Sequence, residues 1–386
     1  LKKWMDFPRM GACDLSIFHP SILGIRRPSQ VYLEGHMGAH LQSRLLGDKD
    51  VQEALKTRLA RERTWTRKSS TIVQCEDIFQ ELELEQFLPR LEEDPGYIHT
   101  IRVEVPRYKK EATKKIRDMV LEKAQEQSRD LVMGGEFARL LEEQESNVEW
   151  RSLIQSLPRG LLGFAARLTT NSLPSPDNLA RWKKLVTPRC PLCDKVPCTL
   201  FHLLSNCRVS LDQGRYDYRH DSVLAFLYSV VRRARSESRE VYCDLQGSRV
   251  NGGTIPPDIL LTSSKPDLVL VDRSTTPVRV DLVLLTVPWD SGAEGAKLRK
   301  EVRYASLVQD IKEEGFQCFH TTLEVGVRGH ITPRNKSTLT WLCSLAKEKK
   351  VSRFITTTSK LALLGSYSVW VARRSPDWTA GNLLKP

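Results

Sequence analysis

Cys190, Cys193, His202 and Cys207 follow the spacing C-x2-C-x8-H-x4-C. Zinc takes thiolate and imidazole ligands at four tetrahedral corners. The turn Cys190-Pro191-Leu192-Cys193 can supply one edge of that tetrahedron. His202 and Cys207, on or near a helix, can supply the other, with Phe201, Leu203 and Leu204 packed beneath. Cys198 falls outside the pattern. Four protein ligands fill the shell, so such a site is structural and leaves no position for catalysis. The chain has nine cysteines, an odd number, clustered toward this segment. That argues against a disulfide framework and for metal binding in a reducing compartment.

A second constellation lies downstream. Lys265-Pro266-Asp267 precedes the apolar run Leu268–Val271, a polar turn follows, and the run Val278–Val287 contains Asp281. A symmetric hairpin centred on Ser274 pairs Asp267 with Asp281, and directly opposed residues share a face. Buried carboxylates are costly unless they bind something. Two that converge suit a hard divalent cation such as magnesium. Taken alone, two strand-end aspartates facing solvent would be the plainer reading. The next helix changes the balance, because Lys297, Lys300, Tyr304, Val308 and Ile311 share one face at helical spacing. A lysine there can hold an attacking water or offset charge on a phosphoryl group; the alternative is a stem lying along the helix edge. Arg219-His220-Asp221 at a helix start could orient nucleic acid or could be a cap with a buried histidine.

These residues need elements to position them. Apolar periodicity predicts helices over 51–62, 77–88 and 108–132, continued at 137–141 and 150–157. Beyond the cysteines the pattern alternates. A helix is expected over 222–233, strands at 241–245, 268–271, 278–287 and 319–327, and a helix at 294–312, which together indicate an α/β domain. The chain of 386 residues is therefore expected to be multidomain, of mixed α+β class. A formal charge of +12 favours a polyanionic partner. From Lys347 onward eight cationic residues face two acidic ones, and 44–68 holds eight against four, although a solvated helix is the commoner fate of such a stretch. No window is apolar enough to cross a membrane. Leu1–Met5 lack an apolar signal core, so secretion is not expected, and a start at Leu1 suits a piece of a longer reading frame.

The segment Cys190 to His330 resembles the C-terminal region of non-LTR retrotransposon polyproteins that carry a restriction-like endonuclease. The resemblance rests on motif order. The knuckle precedes Gly214-Arg215-Tyr216 and Arg219-His220-Asp221-Ser222-Val223-Leu224. Then come Lys265-Pro266-Asp267, Leu285-Thr286-Val287-Pro288-Trp289-Asp290, Lys297-Leu298-Arg299-Lys300 with Tyr304, and Glu324-Val325-Gly326-Val327-Arg328-Gly329. Upstream, Leu173–Leu179 with Trp182 is similar to the family's linker, and Leu1-Lys2-Lys3-Trp4 to the segment after a reverse transcriptase thumb.

The resemblance implies a helical post-thumb and linker region over 1–187, a CCHC knuckle over 188–212, a PD-(D/E)xK-like nuclease domain over 213–350 and a basic tail over 351–386. It implies a magnesium-dependent enzyme that nicks target DNA to prime reverse transcription, and a nuclear protein. Partners would be DNA, element RNA and a reverse transcriptase domain in the same polyprotein, with no membrane. Asp267 would be the first metal-binding acid, with Asp281 the second. Lys297 or Lys300, with Tyr304, would complete the catalytic set, and Arg219, His220 and Lys265 would meet nucleic acid. Zinc would be structural. No Tyr/Phe-x-Asp-Asp pair occurs, so this chain should not itself synthesise DNA.

One departure stands out. Relatives of this kind tend to have an acid immediately before Leu-Thr-Val-Pro, where this chain has Leu284. Either Asp281 serves through a short insertion, or the second acid is lost. In the second case the protein is a catalytically dead or repurposed nucleic-acid-binding module with a structural zinc.

Overall fold

A computed structural model describes residues 25–65, 70–88, 95–129, 136–137, 140, 152–153, 156–250 and 252–378. The Leu1–Trp4 match falls outside these residues, as do most of 137–141 and half of the helical expectation at 150–157. Contacts divide the chain into two compact units, one spanning Gly24–Asp130 and one Leu131–Pro386, apart from short N-terminal exchanges. Helices and a small sheet together make a mixed α+β protein.

The first unit is helical. It comprises α1 (Pro28–Leu46), α2 (Lys49–Trp65), α3 (Thr71–Glu81) and α4 (Pro95–Arg129). α3 starts after Ser70, earlier than expected, and α4 starts well before Tyr108 and runs through Pro106. Met37, Leu41 and Leu45 of α1 meet Ile78 and Phe79 of α3 and Ile101, Ala112 and Ile116 of α4 in one core. Glu76 is buried within it, and His40 (2.7 Å) and Arg44 (2.8 Å) satisfy its carboxylate. The cationic α2 is largely exposed.

The second unit begins with α5 (Arg159–Thr169) and α6 (Pro176–Arg181), then the cysteine loop. After it come α7 (Arg208–Asp212), α8 (Arg215–Val231), β1 (Arg239–Cys243), β2 (Leu268–Asp272) and β3 (Arg279–Thr286). The unit continues with α9 (Ala293–Glu313), β4 (Gln317–Glu324), α10 (Pro333–Leu345) and α11 (Val351–Val371). The sheet order is β1-β2-β3-β4, antiparallel at the first two junctions and parallel at β3–β4, where α9 makes the crossover. Alternation along the strands sends Val269, Val271, Val280, Leu282 and Leu284 toward Tyr304, Leu307, Val308 and Ile311 of α9. Leu268, Leu270, Val283 and Leu285 face the other way, onto α8, α10 and α11.

The C-terminal stretch differs from expectation. The stretch expected to be a basic tail is mostly α11, whose Phe354, Ile355, Ala362, Leu363 and Val369 are buried. Those apolar residues recur at helical spacing and close the core, so α11 belongs to the domain. Its packing needs Gly365, because a Cβ there would lie 2.5 Å from Arg219 Cγ and 2.9 Å from its Cα. Arg215 and Arg219, fully buried on α8, are the bolts of this layer. Arg215 donates to the carbonyls of Ala372 and Ser375 (2.7 Å each). Arg219 donates to Leu204 O (2.8 Å), Val287 O (3.1 Å) and Ser366 Oγ (3.3 Å), joining knuckle, sheet and α11.

Candidate metal centre and acid–lysine site

The knuckle is built by two local devices. Cys190 N–H donates to Lys195 O (2.9 Å) and Asp194 N–H to Cys190 O (3.0 Å), which closes the tight loop carrying Cys193. His202–Asn206 then form a single π-turn ending at Cys207. An α-helix would leave residues five apart about 140° around the axis. The i→i+5 closure of a π-turn brings them toward one face. Tyr216 on α8 fixes this turn, because its hydroxyl accepts from Cys207 N–H (3.0 Å) and donates to Leu203 O (3.1 Å).

Ligand atoms of Cys190, Cys193, His202 and Cys207 all lie within 4.8 Å of one another. Cys190 Sγ is 3.9 Å from Cys207 Sγ, and Cys193 Sγ is 3.3 Å from His202 Nε2. A tetrahedral zinc with bonds near 2.3 Å to sulfur sets an S···S edge of about 3.8 Å. Burial and the nearby Lys195 hold His202 below its ordinary pKa, so the imidazole is neutral, as a ligand must be. Burial pushes Cys190 up, but the N–H groups of Leu192 and Cys193 outweigh it and lower the thiol. These four residues fit zinc, with Nε2 as the histidine donor, and zinc there would tie the loop to the π-turn. Cys198 is buried outside the group, its thiol pushed up by burial and by Cys190. Leu203 and Leu204 are buried as expected, but Phe201 is 44% exposed and meets the Trp289 ring edge-on at 5.9 Å.

Asp267 sits at the entrance to β2, on the α9 side. Lys300 Nζ lies 2.6 Å from its Oδ2, and Leu285 N–H donates to the same oxygen at 2.7 Å. His220 Nε2 lies 3.2 Å from Oδ1, while its Nδ1 faces Asp221 Oδ1 at 3.0 Å. Burial raises the Asp267 carboxyl, yet His220 and Lys300 together hold it below the usual carboxylate range. Burial lowers His220, but Asp221 and Asp267 outweigh it and push its pKa up to about 9. Tyr304 donates to Lys265 O at 2.7 Å, which ties α9 to the segment before Asp267.

The expected carboxylate pair does not form. β2 and β3 pair Leu268 with Val283 and Leu270 with Asp281. Continuing that register by one residue sets Asp267 against Leu284, which is fully buried in the α9-side core. Asp281 projects to the opposite face, where Arg279 grips both oxygens at 2.7 and 2.8 Å. The turn is longer than a hairpin centred on Ser274 allows, and the shift of three register positions reverses the face. Among the described residues no second group of three or more metal-ligating side chains gathers as the knuckle does. Asp267 and Asp281 therefore do not fit a shared magnesium.

The other expected residues divide. Lys300, His220 and Tyr304 join the Asp267 cluster. Lys297 turns to Glu294 at 2.8 Å, and Lys265 is exposed. Arg219 is buried against carbonyls and so cannot reach nucleic acid. Asp221 and Asp244 are additions: Asp244 N–H donates to Asp267 O at 3.0 Å, and its carboxylate takes Arg249 at 2.6 Å. Asp244 follows β1 directly, a position with no spacing signal of its own.

The later motifs build structure. Arg328 stacks on Trp289 (4.0 Å) and Phe137 (5.0 Å) and reaches Glu136 at 3.0 Å. Asp290 is buried beside it, and burial pushes its carboxyl up to about 6 against the pull of Arg328. Gly326 is required there, since a Cβ would fall 1.9 Å from Asp290 Oδ1.

Comparison with protein-family models and with curated proteins finds no match to this chain.

Proposed function

We propose that this chain is a nucleic-acid-binding module from a non-LTR retroelement protein, stapled by zinc, on a nuclease-like scaffold that has lost its metal pair. The observation that carries the reading is the register that opposes Asp267 with Leu284. Phosphoryl transfer through magnesium relies on positioning and neutralising charge between close carboxylates. Here one carboxylate is enclosed by Lys300, His220 and a backbone N–H. The second is on the far side of the sheet, spent on Arg279. Asp267 thus acts as a buried anion that fixes α8 and α9 against the sheet. A charge of +12 and the ordered motifs of the resemblance supply the nucleic-acid partner.

A second reading, an active magnesium-dependent endonuclease, is favoured by one observation: Lys300 and Asp267 retain the 2.6 Å acid–lysine contact. The binding reading is tested by salt titration on duplex DNA. Each neutralised phosphate contributes a log–log slope of roughly −0.9. A steep negative slope is expected, and an affinity indifferent to salt would remove both readings.

A further inference from the structure

At the end of α8 a cavity of about 440 Å³ opens against the turn between α10 and α11. Its floor is apolar: Phe226 and Val230 of α8 and Phe354 of α11. The rings of Phe226 and Phe354 lie 5.3 Å apart, tilted by 33°. Its rim is cationic, carrying Arg233, Lys350 and Arg353, all exposed. Glu348 is the one carboxylate among the described lining residues. That carboxylate turns away from a ligand, because Arg233 holds it at 2.9 Å and the Lys350 N–H at 3.0 Å.

The combination selects its occupant. Aromatic floors with cationic rims bind single strands by stacking bases and tracking phosphates. A volume of about 440 Å³ falls within the range of small-ligand sites and exceeds what one base needs. A paired base stays stacked inside its duplex and cannot enter. A simple anion would have no use for the apolar floor, and an apolar ligand none for Lys350 and Arg353. The cavity is distinct from the Asp267 cluster: none of its lining residues is Asp267, His220, Asp221, Leu285 or Lys300.

We propose that this cavity seats one unstacked base of a single-stranded polynucleotide on Phe226, with the flanking phosphates on Lys350 and Arg353. The proposal rests on the nucleic-acid reading above and names the strand state it serves. The test uses the full chain and an oligodeoxyadenylate carrying one 2-aminopurine, whose fluorescence falls when the base stacks. Wild-type protein should quench the probe. Phe226→Leu should weaken binding roughly tenfold and abolish the quench. Lys350→Gln with Arg353→Gln, both exposed positions, should make the single-strand salt slope shallower by about 1.4, at −0.7 per phosphate. If these variants bind the oligonucleotide as wild type does while wild type binds duplex DNA with a steep salt slope, the cavity proposal is overturned and the wider reading stands. If wild type binds neither, both fall.

Discussion

His220 carries the most exposed consequence of the site's chemistry. Both of its ring nitrogens face acceptors, Asp221 Oδ1 on one side and Asp267 Oδ1 with Leu285 O on the other. Only the imidazolium can donate from both. Its folded pKa of about 9 lies above the unfolded value near 6.5, so the stability it adds is full below that unfolded value. That contribution is lost as pH rises through 9. Asp267 has the opposite sign: its lowered carboxyl adds stability above the unfolded value, and this is lost as pH falls through the folded one. An NMR titration should find His220 near 9, and in Asp267→Asn it should move well down toward 6.5. A His220 that titrates at 6.5 in wild type would break this account of the cluster. At this scale the knuckle was legible because ligand spacing is local in sequence. The acid pair was not, because a face depends on register, and register depends on a turn whose length no residue type fixed. The turn residue Asp272 accepts Ser274 N–H at 3.1 Å, which shapes the turn without setting its midpoint at 274.

At the scale of elements, the strands and the α9 crossover followed from alternation and helical spacing, and they form close to where those patterns lie. α11 did not, because the cations that flank it at 347–350 and 373–374 give the stretch a basic character that masks a stripe including Phe354, Ile355, Ala362 and Leu363. Its role has a sharp test at Gly365. Gly365→Ala drives a methyl group into Arg219, and overpacking of this kind costs about 1–3 kcal/mol. Urea unfolding should show that loss, whereas Gly160→Ala, in α5 with open space at its Cβ, should not. Deleting residues after Lys350 should unfold the second unit rather than merely trim its affinity for DNA. A truncated chain with native near-ultraviolet circular dichroism would contradict the assignment of α11 to the core.

At the scale of the molecule, the mixed class was readable from the order of helix and strand patterns and the basic balance from composition, while the division of labour was not. The +12 charge says that a polyanion is attractive but not which surface meets it, and the buried Arg215 and Arg219 show that some cations serve packing alone. A zinc held by Cys190, Cys193, His202 and Cys207 would join the loop to the π-turn, so metal analysis should find one zinc in wild type and in Cys198→Ser. Cys193→Ser should hold none and should lose order in the knuckle, given that structural zinc contributes on the order of 10–16 kcal/mol in finger peptides. Zinc retained by Cys193→Ser would show the ligand set to be different.

The central claim is that this scaffold binds nucleic acid without cutting it, and plasmid nicking in magnesium tests it most directly. Supercoiled DNA should be retarded by the wild-type chain at low salt and recovered intact after protein removal. Leu284→Glu, which places a carboxylate opposite Asp267, is the informative companion, because nicking gained there and lost again in Leu284→Glu with Asp267→Ala would show that a second acid at 284 is what cutting requires. Wild type should give no magnesium-dependent nicks above those of Asp267→Ala. Nicking by wild type that disappears in Asp267→Ala would contradict it.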